Sequence, residues 1–164
     1  MLELVSEAAL VGAADVFEMM ARVRPAATEA PGPRVQGTWV SGIVGLGSER
    51  IRISLVVHFP LELARDLTAR LLGDPRGARG ENGHLVRDAV GEIANMIAGR
   101  VKSRVGSDRH PLAVSLPAVV EGREFAIAQG GRAERFSYRL QFPSGACWLE
   151  GAVFAPERRP PNGP

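Results

Sequence analysis

Asp88, Glu92 and Asn95 stand four and three residues apart, and Gly99 follows four later. On an α-helix each residue advances about 100°, so these four fall within about 60° of one another. Val86, Val90, Ile93, Ile97 and Val101 fall opposite, within about 80°, as an apolar stripe. One side of such a helix is dry, and the other sets two carboxylates and an amide in a row. Asn is a poor mid-helix residue, because its side chain competes for backbone hydrogen bonds. Gly91 and Gly99 each cost roughly 1 kcal/mol against Ala in a helix interior. Glycine on an open side lets a partner's backbone come close, so this face reads as one built to meet another molecule. A second chemistry is open to it: His84, Asp88 and Glu92, each four apart, can line up as metal ligands. No second cluster of His, Asp, Glu or Cys completes a coordination shell, so no metal site is expected.

Pro117 follows Asn95 by 22 positions, and the helix reads Glu-Ile-Ala-Asn-Met-Ile-Ala-Gly from Glu92 to Gly99. This pattern resembles the signature of the CheC/CheX/FliY class of bacterial chemotaxis phosphatases, in which Asp or Ser, Glu, Asn and a later Pro stand at such intervals. The resemblance runs from the N-terminal helix to the last strand near Phe154. It implies a phosphatase acting on the aspartyl-phosphate of a CheY-like response regulator, through a Glu/Asn helix inserted into the regulator's active site. Glu92 and Asn95 are then the catalytic candidates, Asp88 a secondary contact, Gly99 and Lys102 partner-binding positions, and Pro117 a structural part of the motif. This chain would bind no cofactor; Mg²⁺ would belong to the regulator. The resemblance also implies a homodimer joined through sheet edges.

An aspartyl-phosphate is already an activated acyl phosphate, and what its hydrolysis needs is a water held in line with the scissile bond. An amide can hold that water through its carbonyl while its nitrogen contacts a phosphoryl oxygen, which is the role expected of Asn95. The resemblance implies that Glu92 pairs with the regulator's lysine. Asp88 either makes a secondary contact or offsets the helix dipole. The alternative is a non-catalytic adaptor, akin to flagellar switch components, that binds a regulator through the same face without hydrolysis.

Composition agrees with such a protein. The chain has 164 residues, which predicts one domain able to bury roughly 70% of its unfolded surface. Net charge is +2 and the basic residues, nearly all arginine, are scattered, so nucleic acid is not an expected partner. No apolar run approaches the roughly 18 residues of a membrane span, and the start Met-Leu-Glu-Leu-Val-Ser-Glu has no positive n-region. One cysteine, Cys147, forms no internal disulfide and fits a reducing, cytoplasmic setting.

The elements that must position the signature helix follow from periodicity. Leu10, Ala13, Phe17 and Met20 predict a helix over about 3–23, ended by Arg24-Pro25. Laid over the signature, this helix puts Met19 at the glutamate position and Arg22 at the asparagine position, as a duplication with one lost site would. That matches a single-site, CheX-like member of the class. Residues 25–36 read as a mobile proline-rich connector. Thr38–Leu46 and Ile51–Phe59 predict a strand pair, with Arg52, Ser54 and His58 on the face away from the core. Pro60 opens a helix to Leu72, with Leu67 and Leu71 inward and Gly73 as its stop. Residues 74–83 form a lead-in loop. Beyond the signature helix, Glu121-Gly122-Arg123 is expected to turn an extended stretch back toward 125–127. A hairpin from Phe136 to Phe154, turning at Pro143-Ser144-Gly145, closes the domain. The predicted fold is α+β, with helices packed on a mostly antiparallel sheet of about six short strands, as one domain over 1–155 and a disordered tail over 156–164.

Overall fold

The computed structural model describes residues 1–34, 36–73 and 83–154. Three helices, α1 (Leu2–Ala21), α2 (Leu61–Leu72) and α3 (Gly83–Val105), lie on one antiparallel sheet. Its strands are β1 (Ala26–Glu29), β2 (Thr38–Gly47), β3 (Arg52–Pro60), β4 (Ala113–Val114), β5 (Ala118–Arg123), β6 (Ala133–Phe142) and β7 (Gly145–Phe154). They run in the order β1-β6-β7-β3-β2-β4, and β5 pairs with β2 alongside β4. The hairpins β2–β3 and β6–β7 are joined by β3 against β7, from Arg52↔Phe154 to His58↔Trp148. The α+β reading holds, with seven strands instead of six.

The core fills the space between helices and sheet. Ile53, Leu55, Val57 and Phe59 of β3 point toward the helices, as their alternation predicts, and all are buried. α1 supplies Val5, Ala8, Ala9, Ala13, Val16 and Phe17. The Phe17 ring meets Phe142 edge-on at 4.9 Å and Phe59 at 6.2 Å, a favoured aromatic geometry. α1 ends where Arg22 adopts φ 53°, its amide donating to the Glu18 carbonyl and the Val23 amide to the Phe17 carbonyl. α2 ends at Gly73, φ 64°, a conformation that glycine takes without steric penalty.

Five local expectations are corrected. The connector over 25–36 contains β1, whose Ala26↔Gln141 to Glu29↔Tyr138 register extends the sheet edge at β6. Its four exposed residues carry no apolar alternation, so only the free edge of β6 makes them a strand. Glu121-Gly122-Arg123 is not a turn but the end of β5, paired with Val40, Trp39 and Thr38; the bend comes at Glu124, φ 51°. Leu71 is 37% exposed, and α2 packs through Leu63, Ala64, Leu67 and Thr68 instead. His58 is buried on the face expected to be open, sharing hydrogen bonds with Ser41 Oγ (2.9 Å) and Glu150 Oε2 (2.8 Å). Segments flanking β1 and following β5 lie over that face, Pro31 through its carbonyl to the Trp148 indole and Phe125 beside Gly122. Gly91, expected on the open side of the signature helix, is buried. Of the lead-in loop expected over 74–83, Gly83 is the first residue of α3; the rest of it and the tail over 156–164 fall outside the described residues.

Candidate functional site

α3 is held against the sheet by close approach. A Cβ on Gly42 of β2 would stand 2.8 Å from Ala94 Cβ and 3.0 Å from the Val90 carbonyl oxygen, so only glycine lets the helix lie this near. On the α1 side, a Cβ on Gly12 would meet Arg100 Cβ at 2.8 Å. Val86, Val90, Ile93, Ile97 and Val101 are all buried, as their stripe predicts. Rotation of the helix is thereby set, and the opposite row must face outward. Lys102 and Arg104 in the last turn complement the helix dipole.

The outward row is as the spacing places it. Asp88 and Glu92 are exposed and Asn95 is half-buried. Among the described residues none of the three has a hydrogen-bond or ion-pair partner. By contrast Arg87, just off this face, is taken by Glu121 of β5 at 2.9 Å, and Arg104 lies 3.9 Å from Asp15 of α1. Lys102 is exposed on the same side as Asn95. Among the described residues a Cβ on Gly99 would meet nothing within 4 Å, so no packing among them requires that glycine. Gly91 differs from its expectation: it is buried, and a Cβ there would meet Val119 at 3.3 Å and Pro117 at 3.9 Å. Its small size serves the chain's own β4–β5 connector, not an incoming backbone.

Pro117 thus lies along the flank of α3 beside Gly91, about one turn before Asn95. The connector that carries it is pinned to β2, where the Ser115 amide donates to the Gly45 carbonyl at 2.8 Å and the Ser115 hydroxyl accepts from the Gly45 amide at 3.0 Å. The residue between, Leu116, is 90% exposed. Sequence reasoning did not single it out, because the course of the connector that carries it depends on the β2–β4 register, which is a long-range property. His84, Asp88 and Glu92 do not gather as ligands: among the described residues no three His, Cys, Asp or Glu side chains come together as a metal site. The duplicated position in α1 is not a second row, since Arg22 lies beyond the helix end in a left-handed conformation while Met19 is 55% exposed.

The family model for chemotaxis phosphatase CheX matches residues 40–141, more than half of the chain and the whole of α3 with Pro117. The chain belongs to the CheX family. Solved CheX-like structures share its fold over nearly all of its length. A CheC-like superfamily protein from Shewanella sp. PV-4 superposes with a TM-score of 0.79 at 22% identity, covering 94% of this chain and 100% of the other. Chemotaxis protein CheX from Vibrio vulnificus gives 0.77 at 24% identity, covering 92% and 99%. The CheX of a CheX–CheY–BeF3–Mg²⁺ complex from Borrelia burgdorferi gives 0.76 at 21% identity, covering 90% and 96%. The search of curated proteins finds no match. Among the described residues no helix is long and apolar enough to cross a membrane.

Proposed function

We propose that this CheX-family chain hydrolyses the aspartyl-phosphate of a CheY-like response regulator by docking α3 into the regulator's active site. The observation that carries the reading is the row Asp88, Glu92, Asn95: exposed or half-exposed polar groups on a rigidly seated helix, with no hydrogen-bond or ion-pair partner among the described residues. The regulator class comes from the Borrelia relative, which is known in complex with CheY and Mg²⁺. Asn95 holds the hydrolytic water through its amide while the regulator's metal neutralises the phosphoryl oxygens. Glu92, one turn earlier, pairs with a lysine of the regulator and fixes the register. Asp88 makes a secondary contact, and Gly99 and Lys102 lie under the partner, the glycine by leaving room and the lysine by facing acidic groups. Pro117 shapes the flank of the helix. No phosphoryl group passes to this chain.

In this reading Mg²⁺ dependence belongs to the complex, so titrating the isolated chain with Mg²⁺ should show no tight stoichiometric site. Such a site, lost in Asp88→Ala, would favour the metal-ligand alternative. Two copies joining through a free sheet edge complete the proposal; β1 offers four exposed residues at such an edge. The deciding experiment is phosphate release from a phosphorylated CheY-like regulator mixed with the purified chain. Binding to the regulator without acceleration of phosphate release would turn the reading to the adaptor.

A further inference from the structure

At the end of the molecule remote from Asp88, the β2–β3 turn, the C-terminus of α3 and the start of β6 border a cavity of about 980 Å³ that is open to solvent on one side. Val105, one of its wall residues, is ten positions beyond Asn95, about 15 Å further along the helix axis. The floor is apolar: Leu112 and Val153 are buried, and Ile51, Val105 and Phe154 are half-buried beside them. Its volume sits at the upper end of the roughly 300–1,000 Å³ typical of small-molecule sites.

Arginines border this apolar floor. Arg50 and Arg132 line the cavity, are exposed, and have no carboxylate partner among the described residues. Arg135 lines it too, and its guanidinium donates to the carbonyls of Gln129 (2.6 Å), Ala133 (3.1 Å) and Gly131 (3.4 Å). Those bonds hold the wall at 129–133 in place but, among the described residues, leave the positive charge without an anion. One carboxylate, Glu134, stands against the three guanidinium groups. Planar guanidinium forks bind carboxylates through paired, charge-assisted hydrogen bonds. An apolar floor with a positive rim complements a molecule with a hydrocarbon body and one anionic end.

We propose that this cavity is a binding site for a small amphipathic carboxylate of medium-chain fatty-acid type, with the body over Leu112 and Val153 and the head group at Arg50 and Arg132. The inference does not rest on the phosphatase reading, because it uses a different end of the molecule. The test is calorimetric titration of the full-length chain with decanoate, decanol and decyltrimethylammonium, followed by amide-shift mapping. Decanoate should saturate at one molecule per chain, with decanol and the cation weaker by about 10-fold or more, since they lack the charge-assisted contact. Arg50→Gln with Arg132→Gln should weaken decanoate by a similar factor and leave decanol unchanged, and both substitutions are on exposed side chains that the fold does not need. Shifts should centre on Leu112, Ala133 and Val153 and spare Glu92 and Asn95. Equal affinity for decanol and decanoate, or no effect of the double substitution, overturns the proposal. So does decanoate binding only to a chain cut after Phe154, because the occupant would then be the chain's own residues 155–164.

Discussion

Replacing Asn95 by alanine should leave the protein slightly more stable and nearly inactive. Asn95 is a half-buried mid-helix residue whose amide has no partner in the described chain, so its removal breaks no internal hydrogen bond. Alanine is the better helix former by about 0.5 kcal/mol. In a domain of this size that corresponds to a rise of about 1–2 °C in Tm. Turnover of regulator phosphate should fall by about 100-fold or more once the water is no longer oriented, while affinity for the regulator stays within a few-fold. Glu92→Ala provides the contrast. Its carboxylate is also exposed and unpaired, so stability should move by no more than about 0.5 kcal/mol. The lost charge-assisted contact to the regulator is worth on the order of 1.5–3 kcal/mol in a docked interface, roughly a 10- to 100-fold loss of affinity. The assay follows regulator-phosphate decay over a concentration series, with binding to a phosphate-mimic form and thermal melts of each variant alongside. Full turnover in Asn95→Ala refutes the water-positioning role. A Tm lowered by several degrees refutes the premise that the amide is free. If both variants lose only binding, the adaptor reading gains the ground.

Three further outcomes are expected. Gly99→Arg meets no internal neighbour, so it should raise stability by up to about 1 kcal/mol through helix propensity and cut regulator binding by its bulk; unchanged binding would remove Gly99 from the interface. Gly42→Val forces a side chain into Ala94 and the Val90 carbonyl and should destabilise by about 1–3 kcal/mol in denaturant melts, with activity falling as α3 is displaced; a neutral result would show that the helix seat is loose. Cys147 is fully buried and burial pushes its thiol far above the ordinary range, so the native chain should not react with a thiol reagent at pH 8 until denaturant is added; rapid native labelling would contradict that burial.

The signature row was legible in the sequence because everything that defines it is local. Helical geometry alone puts Asp88, Glu92, Asn95 and Gly99 on one side and the five apolar residues on the other, and burial follows that division. What could not be read depended on distant pairing. Ala26–Glu29 is a strand only because β6 has a free edge more than a hundred residues later. Gly122 looks like a turn residue, but its partner Trp39 decides its conformation, and the bend falls on Glu124, a residue type that rarely adopts φ above zero. His58 alternates as an outward residue, which it is; its burial comes from two irregular segments laid over that face, which periodicity does not describe. Gly91 and Gly99 share a residue type and a helix, yet one faces Pro117 and the other faces open space, a distinction set by where the β4–β5 connector runs.

The pairing of β3 with β7 has a consequence for how the chain comes into being. β3 ends at Pro60 and its partner ends at Phe154, so the middle of the sheet cannot close until 94 more residues have left the ribosome. At about 5–20 residues per second that delay is roughly 5–20 s. Throughout it the β3 edge, with Val56 and Val57 in it, is an unpaired apolar template of the kind that captures other chains. Contacts this far apart also slow folding after release. The yield of native protein in a production host should therefore respond to temperature and to the rate of synthesis across α2 and α3.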